Sequence, residues 1–456
     1  MLDNTNITFW SGLRTIGGTI ISVEHGMDRI LFDFGELFQT QRLFSKGKKI
    51  RANRHTSDLL KLQALPAIEG IYGRRALHDI PLVPFEESTQ QTAVCISHLH
   101  LDHIGSIMHL APELPLYMTD EGKELYAALY ELKLPGSERL PDRIQGVKPG
   151  ETVKIGEAIE VTFVGVDHDI IGAAGMLVKT PDVKVAYTGD LRFHGMNRQK
   201  SMAFVEKVKQ FEPDLLITEG TALREDSELV PLLDYPDDLR QEEQVGSEVA
   251  AHLSKTDGAA FFNWYERDVM RLKILIEAAQ AAGRQVVLEP ESAYLARRFH
   301  IEHPFLVYMP YDLSNEQYIW ESRLPNVEWI SKDTLSQHAA MYFIENRFER
   351  LFELLDFPLE HSLYIHSNGT PLGPFDPDYE KLLSFLDSIG CQKIDIFCSG
   401  HATANHLKWL VDEINASYVV PLHSFHPEKL QPAHGTRLLP EPNETFRFRK
   451  GMLQPE

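Results

Sequence analysis

The sequence has few cysteines, no long apolar run and no excess of basic residues. Its three cysteines, Cys95, Cys391 and Cys398, form no CxxC pair, and each lies in or beside an apolar run. We therefore expect reduced core residues rather than a disulfide framework, which favours a cytoplasmic location. There is no stretch of about 18 apolar residues and no N-terminal signal pattern, so we predict neither export nor a membrane span.

Basic residues are in the minority. The chain has 45 Lys+Arg against 66 Asp+Glu, a formal net charge of −21. This acidity argues against a passive nucleic-acid coat protein. It does not exclude a nuclease, because bound divalent ions add positive charge that a sequence count omits. One basic stretch, 46–54, could line a phosphate-binding cleft, and a solvated loop is at least as good an interpretation.

The chain of 456 residues is too long for one compact core, and its pattern changes along its length. Strands are predicted early at 7–10, 17–23, 29–33, 161–166, 183–187 and 214–218. An acidic, proline-containing linker is followed, up to about residue 390, by apolar strands that alternate with helix-like stretches such as 335–354. This alternation predicts a parallel α/β domain at 236–390, inserted into a first domain formed by 1–235 and 391–456.

Three imidazoles and one carboxylate lie within six residues. His98, His100, Asp102 and His103 form an HxHxDH pattern directly after the apolar residues 93–96. Neutral imidazole and carboxylate are the ligands that zinc-like ions prefer. The two leading histidines point one way and the last two residues another, so one short loop can serve two ions. Surface histidines on a turn are the alternative interpretation.

Five further candidate groups follow predicted strands downstream, namely His168, Asp190, Glu219, His401 and His423. Each alone is weak, because an isolated histidine after a strand is usually a packed or surface residue. Their joint occurrence behind an intact HxHxDH pattern strengthens the prediction of a metal site. Asp167 and Asp169 flank His168 and either orient this ligand or are ordinary loop acids.

With these motifs in this order, the sequence resembles the metallo-β-lactamase superfamily and, within it, the β-CASP nuclease family of RNase J-like proteins and mRNA 3′-end-processing endonucleases. The HxHxDH loop matches the family's second motif, and the later positions match in order and residue type. The resemblance covers nearly the whole chain. It implies an α/β fold class: a metallo-β-lactamase αββα sandwich with an inserted parallel α/β β-CASP domain.

The resemblance also implies a role for each site residue. The implied metal ligands are His98, His100 and His168 for one ion, Asp102, His103 and His423 for the other, and Asp190 as the bridge. The implied catalytic residues are Asp102, Asp190, Glu219 and His401, with His401 as a general acid oriented by Glu219. Two divalent ions are expected, zinc first and manganese as the alternative. Such a pair activates a water and clamps the oxygens of an in-line displacement at phosphorus.

The function implied is hydrolysis of single-stranded RNA, because family members that act on DNA commonly have valine where this chain has His423. A DNA nuclease or another phosphodiesterase on the same site, and an inactive RNA-binding scaffold, are the alternatives. Small residues at Ser367, Gly369, Ser399 and Gly400 could let backbone N–H groups approach a phosphate, or they could form simple turns. No membrane partner is expected. A homodimer is left open, because the sequence after His423 is too short for the dimerising C-terminal domain of RNase J proteins.

Overall fold

The computed structural model describes residues 4–37 and 50–454, which fold into two compact units. The first unit lies within Met1–Phe193, Asn197–Tyr235 and Gly400–Glu456, and the second comprises His194–Met196 and Pro236–Ser399. All three cysteines are buried. Within the described residues, no helix is both long enough and apolar enough to cross a bilayer. Of the basic stretch 46–54, residues 46–49 lie outside the described residues.

The first unit begins with a series of strands separated by short helices. Its strands up to Glu219 are β1 (Thr5–Ser11), β2 (Ile20–His25), β3 (Asp28–Phe32), β4 (Gln91–Cys95), β5 (Leu116–Thr119), β6 (Ile144–Val147), β7 (Thr152–Ile155), β8 (Ile159–Gly165), β9 (Ala174–Lys179), β10 (Lys184–Tyr187) and β11 (Leu215–Glu219). Its helices in this part are α1 (His55–Lys61), α2 (Arg74–Leu77), α3 (Leu101–Ile104), α4 (Asp120–Glu131) and α5 (Arg198–Phe211). The strands predicted at 7–10, 29–33, 161–166, 183–187 and 214–218 all form, because their β-branched and aromatic residues pack into buried sheets.

The second unit is a parallel α/β domain. Its strands are β12 (Ala260–Trp264), β13 (Gln285–Leu288), β14 (Leu306–Val307), β15 (Glu328–Trp329), β16 (Tyr342–Glu345), β17 (Leu363–Ser367) and β18 (Gln392–Asp395). Its helices are α6 (Glu242–Lys255), α7 (Val269–Ala281), α8 (Pro290–Arg298), α9 (Gln317–Arg323), α10 (Lys332–Gln337) and α11 (Tyr379–Ser388). The strands pair in parallel in the order β15-β14-β13-β16-β12-β17-β18. Every residue of β12 is buried, as expected for a parallel sheet that is covered on both faces.

One secondary-structure prediction for this unit was wrong. The helix predicted at 335–354 contains β16, which pairs with both β12 and β13. All four residues of β16 are buried, and an aromatic and β-branched sequence is stabilised by a place between two strands more than by a helical turn. The unit also extends to Ser399, past the predicted boundary at 390, because β18 pairs with β17.

The chain then returns to the first unit. The elements of this last part are α12 (Ala404–Ile414), β19 (Tyr418–Leu422), β20 (Thr436–Arg437), β21 (Glu444–Arg449) and β22 (Met452–Leu453). The unit has two mixed sheets, with strand orders β22-β21-β1-β2-β3-β4-β5-β6 and β20-β19-β11-β10-β9-β8-β7. Their facing sides share one core, in which Phe32 and Cys95 of the first sheet and Phe163, Met176 and Ile217 of the second are fully buried. The predicted fold class, a sandwich with an inserted parallel α/β domain, is confirmed.

Strand direction explains where polar residues collect in the first unit. β9 runs antiparallel to β8 and to β10, so β8 and β10 point the same way. β10, β11 and β19 are parallel to one another. The carboxyl ends of all four strands therefore lie at one edge of the sheet, and the residues that occupy or follow these ends are His168, Asp190, Glu219 and His423.

Candidate metal centre

Three groups of potential ligand atoms converge in the first unit. The groups are His98, His100 and His168; Asp102, His103, Asp190 and His423; and Asp190, Glu219 and His401. Within each group, the ligand atoms lie within 4.8 Å of one another. All the residues predicted as metal ligands or as catalytic residues therefore belong to one cluster, and Asp190 belongs to two of its groups.

The first part of the HxHxDH loop is extended and the second part is helical. His100 is extended and precedes α3, so Asp102 and His103 lie in the first turn of that helix. The turn is held from behind by the Asp102 carbonyl, which accepts the backbone N–H of Gly18 at 3.0 Å. Gly35 approaches the same carbonyl so closely that a Cβ there would lie 1.6 Å from its oxygen. The loop geometry thus requires a glycine at position 35.

Hydrogen bonds on the outer side of the cluster place a proton on Nδ1 of two histidines. Nδ1 of His168 bonds to the Gly400 carbonyl, which can only accept, so Nδ1 carries the proton and Nε2 is a lone-pair donor. Nδ1 of His103 lies 2.8 Å from a carboxylate oxygen of Asp33, so this nitrogen also carries a proton and Nε2 is the ring atom that faces the cluster. That Nε2 lies 3.1 Å from Oδ2 of Asp190.

Asp33 is a site residue that sequence reasoning missed. Its carboxylate is fully buried and accepts the Ser97 hydroxyl at 2.8 Å and the Tyr187 hydroxyl at 2.6 Å. Because the Ser97 proton goes to Asp33, the Ser97 oxygen is left to accept Nδ1–H of His98 at 3.0 Å. Asp33 therefore orients His103 directly and His98 through Ser97, as carboxylates do around metal-binding histidines. The sequence gives only a strand-ending Asp-Phe-Gly, which is typical of an ordinary turn.

The inward-facing atoms fit divalent cations. Nε2 of His98 and of His103 and Oδ2 of Asp190 are buried and make no well-aligned hydrogen bond within the described residues. Oδ2 of Asp190 lies 3.7 Å from Nε2 of both His98 and His423, and the His423 nitrogen lies 2.9 Å from Oδ2 of Asp102. Ligands at about 2.0 to 2.2 Å from one tetrahedral ion are about 3.4 Å apart. Buried carboxylate and imidazole atoms at such spacings are costly without a cation.

The protonation states favour the same interpretation. Burial lowers the pKa of His98 well below its ordinary value and that of His100 to about 3, so both are neutral imidazoles at physiological pH, the form that can bind a metal ion. Burial opposes ionisation of Asp190, yet the nearby His423 and His103 hold its pKa well below the usual range. For His103, burial is outweighed by the adjacent carboxylates, which raise its pKa, so cation binding would displace a proton there.

His401 and Glu219 form a pair beside these ligands. Nδ1 of His401 lies 3.1 Å from Oε2 of Glu219, and Oε1 of this buried carboxylate accepts the backbone N–H of Leu191 at 3.1 Å and of Ala402 at 3.4 Å. Burial disfavours the imidazolium, but the Glu219 carboxylate raises the pKa of His401 to about 10. The His401 side chain is 23% exposed and lies 3.8 Å from Oδ2 of Asp190, so the imidazolium is accessible beside the ligand cluster.

The two acids that flank His168 lie in different surroundings. Oδ1 of Asp169 is buried and lies 3.5 Å from Nε2 of His100 and 3.3 Å from Nε2 of His168. Asp167 instead lies 3.5 Å from Nε of Arg192. Asp169 therefore faces the ligand cluster, whereas Asp167 is involved in an ion pair beside it.

The predicted phosphate contacts Ser367 and Gly369 both lie in the interior of the second unit. The Ser367 hydroxyl is buried, accepts Nη1 of Arg271 at 3.1 Å and donates to the Ile396 carbonyl at 2.8 Å. Gly369 packs against Asn263, where a Cβ would lie 2.5 Å from Cγ. The Ser367 side chain is thus engaged in internal bonds, and the glycine is required by packing.

The other two predicted contacts adjoin the centre in sequence. Ser399 is exposed. Gly400 is buried, and a Cβ at this position would lie 2.3 Å from Oδ1 of Asp169. This glycine thus makes room for a carboxylate that faces the ligand cluster. A role for any of the four small residues in binding phosphate stays a prediction.

A sandwich of two mixed sheets with a His- and Asp-rich cluster at the ends of its strands defines a metallo-β-lactamase-like protein that can bind divalent cations. In agreement, the family model of a beta-lactamase superfamily domain matches residues 65–263. The chain is 24% identical over 290 residues to ribonuclease J of Pyrococcus abyssi, covering 60% of this chain and 57% of that protein. It is 22% identical over 406 residues to ribonuclease J of Thermus thermophilus, covering 83% of this chain and 66% of that protein.

A solved structure resembles the whole chain. The crystal structure of a protein of unknown function from Enterococcus faecalis V583 superposes with a TM-score of 0.79 and 31% sequence identity, covering 98% of this chain and 100% of that one. The chain belongs to the metallo-β-lactamase superfamily and, within it, to the β-CASP family. It spans somewhat less than two thirds of the length of the two ribonuclease J proteins.

Proposed function

We propose that this protein is a metal-dependent ribonuclease that hydrolyses phosphodiester bonds of single-stranded RNA with two divalent ions. One observation carries the proposal. A group of three histidine ligand atoms lies next to a second group that contains Asp190, with Nε2 of His98 3.7 Å from Oδ2 of Asp190, and a buried carboxylate holds the imidazolium of His401 beside them. A purely structural cluster has no need of a charged, partly exposed imidazolium next to its ligands.

The residues divide between two ions. The ligands we assign are His98, His100 and His168 to one ion, Asp102, His103 and His423 to the other, and Asp190 to both. When bound, the ions would supply Lewis acidity and a nucleophile derived from water at neutral pH. Imidazole-rich sets of this kind suit zinc, and the carboxylates also accommodate manganese.

His401 supplies the proton for the leaving oxygen. Its Nδ1–H donates to Oε2 of Glu219, so the remaining donor is Nε2–H. With a pKa of about 10, the imidazolium is protonated throughout the neutral range, because the carboxylate outweighs the effect of burial. Glu219 fixes the ring orientation through two further backbone hydrogen bonds, so the acid is held in place before substrate arrives.

RNA is the substrate class we favour. The relatives with 24% and 22% identity are ribonuclease J proteins. His423, a position at which DNA-acting family members commonly have valine, faces Asp102 and Asp190 from a fully buried position. The chain has a formal net charge of −21, and bound cations would add positive charge at the site for a phosphate substrate.

Cleavage of end-labelled single-stranded RNA, with DNA of the same sequence in parallel, tests this function. The wild-type protein loaded with zinc or manganese should cut RNA. His401→Ala should keep its metal and slow cleavage by about 10²- to 10⁴-fold, the usual contribution of a general acid. The double variant His98→Ala/Asp102→Ala should lose both metal and activity. His434→Ala, a change at an exposed histidine of the same unit, should behave as wild type.

The alternatives have distinct outcomes in this assay. Cleavage of DNA but not RNA would contradict the substrate and leave a phosphodiesterase on the same site. Tight RNA binding without cleavage by metal-loaded protein would contradict the enzyme and favour a scaffold. The product ladder from RNA with a 5′ monophosphate or triphosphate would separate exonuclease from endonuclease action.

A further inference from the structure

His423 combines a place in the ligand cluster with an unusual backbone conformation. Its φ is +53°, in the left-handed region that residues other than glycine rarely occupy. It directly follows β19, is fully buried, and donates its backbone N–H to the Gly12 carbonyl at 3.3 Å. Such a conformation persists only where the surroundings hold it in place.

Thr221 contacts both the side chain and the backbone of His423 with one hydroxyl group. Its Oγ1 lies 2.8 Å from Nδ1 and 3.3 Å from the carbonyl oxygen of His423. A carbonyl can only accept, so the hydroxyl proton goes to the carbonyl and the hydroxyl oxygen accepts Nδ1–H. Nε2 is then the ring nitrogen that faces the ligand cluster, 2.9 Å from Oδ2 of Asp102, where a bound cation would take the place of the proton shared between these two atoms.

The same residue also contacts the general-acid pair. The backbone N–H of Thr221 donates to Oε2 of Glu219 at 3.3 Å, and this is the oxygen that lies 3.1 Å from Nδ1 of His401. Thr221 thus makes three hydrogen bonds to residues of the site, two through its hydroxyl and one from its backbone N–H. It lies two residues beyond the end of β11, so none of these bonds belongs to a strand or a helix. A residue serving only as a turn needs none of these contacts.

We propose that Thr221 is a positioning residue that clamps His423 in its left-handed conformation and presents Nε2 of His423 to the second metal ion. The inference rests on the proposed function in so far as a divalent ion occupies that site. It goes beyond the ligand assignment, because it names the group that fixes the tautomer and backbone of this ligand.

A matched pair of substitutions tests the clamp. Thr221→Val keeps the shape of the side chain and removes both hydroxyl bonds, whereas Thr221→Ser keeps the hydroxyl. Zinc affinity is measured on metal-free protein by competition with a chromophoric chelator, so no cleavage is required. We expect Thr221→Val to bind one of two zinc ions about 10- to 100-fold more weakly, the usual effect of losing a partner of a metal-bound histidine. Thr221→Ser should restore the affinity to within a few-fold.

Two controls separate this effect from a folding defect. Thr89→Val makes the same change at an exposed threonine of the same unit and should bind zinc as wild type does. Far-UV circular dichroism and thermal unfolding of the metal-free proteins should show that Thr221→Val is folded at the assay temperature. If it is not, the Thr221→Ser protein decides: weak binding of one ion in that variant would contradict the clamp.

The outcomes distinguish the clamp from the proposed function. Wild-type affinity for both ions in folded Thr221→Val would overturn the clamp and leave the ribonuclease proposal intact. A wild-type protein that binds two ions and cuts no RNA would overturn the ribonuclease proposal. The zinc affinities of Thr221→Val and of the wild type would still decide whether the clamp is correct. A wild-type protein that binds no divalent ion would overturn both.

Discussion

Replacing Glu219 with Gln should move the alkaline limit of activity to lower pH. Nδ1 of His401 donates to Oε2 of Glu219 over 3.1 Å, and this buried carboxylate raises the pKa of His401 to about 10 against the effect of burial. Activity that needs the imidazolium is therefore complete well below this pKa and is lost as the pH rises through it. Glutamine keeps the acceptor oxygen and removes the negative charge.

The size of the shift follows from the strength of the bond. A hydrogen bond to a charged group contributes about 1.5 to 3 kcal/mol, and each unit of pKa corresponds to about 1.4 kcal/mol. The alkaline limit should therefore fall by about one to two pH units in Glu219→Gln, to about pH 8 to 9. The shift is large enough to resolve because the Glu219 carboxylate is fully buried and little screened by solvent.

Single-turnover cleavage of labelled RNA from pH 6 to 10.5, at saturating metal, measures this limit. Glu206→Gln, at an exposed position of α5, is the matched control and should leave the profile unchanged. An unshifted profile in Glu219→Gln would refute the general-acid assignment. Loss of a metal ion from this variant would also contradict the reasoning, because Glu219 would then be a ligand rather than the partner of His401.

Two further substitutions test the groups behind the ligands. Asp33→Asn should lower the affinity for one of the two ions about 10- to 100-fold in a chelator competition and lower the free energy of unfolding by about 1 to 3 kcal/mol. The reason is that an amide cannot accept every hydrogen bond that the carboxylate accepts from His103, Ser97 and Tyr187. Unchanged metal affinity would contradict this role. Gly400→Ala should lower the metal content measured by mass spectrometry, because its Cβ would lie 2.3 Å from Oδ1 of Asp169. In the control Gly73→Ala the new Cβ would have no atom nearer than 3.8 Å, so the metal content should not change. Equal metal content in the two variants would show that the close approach of Gly400 to Asp169 is not needed.

The residues of the site that could be predicted lie close together in sequence or directly after predicted strands. His98, His100, Asp102 and His103 are identified because their spacing within one loop suits metal ligation. His168, Asp190 and His423 are each ambiguous alone, and they come together because β8, β10 and β19 point the same way in one sheet. The order of such motifs can be read from a sequence, whereas the sheet edge that unites them is a property of the fold.

The unpredictable part is the layer behind the ligands. The partners of Asp33 lie between 64 and 154 positions away in sequence, and no local pattern links this Asp to Ser97 or Tyr187. The need for a glycine at position 400 is not evident from the sequence, because it arises from the close approach of the Asp169 side chain in the folded protein. The strand β16 was also not predictable from its own sequence, because the residues around it have a helix-like pattern. It forms because it pairs with β12 and β13, which are distant in sequence.

The most direct test of the two-ion centre is anomalous diffraction from crystals of the metal-loaded protein, collected at the absorption edge of zinc. We predict two peaks about 3.5 to 4 Å apart, on either side of Asp190, one bound by His98, His100 and His168 and the other by Asp102, His103 and His423. A single peak, or peaks away from Asp190, would contradict the account.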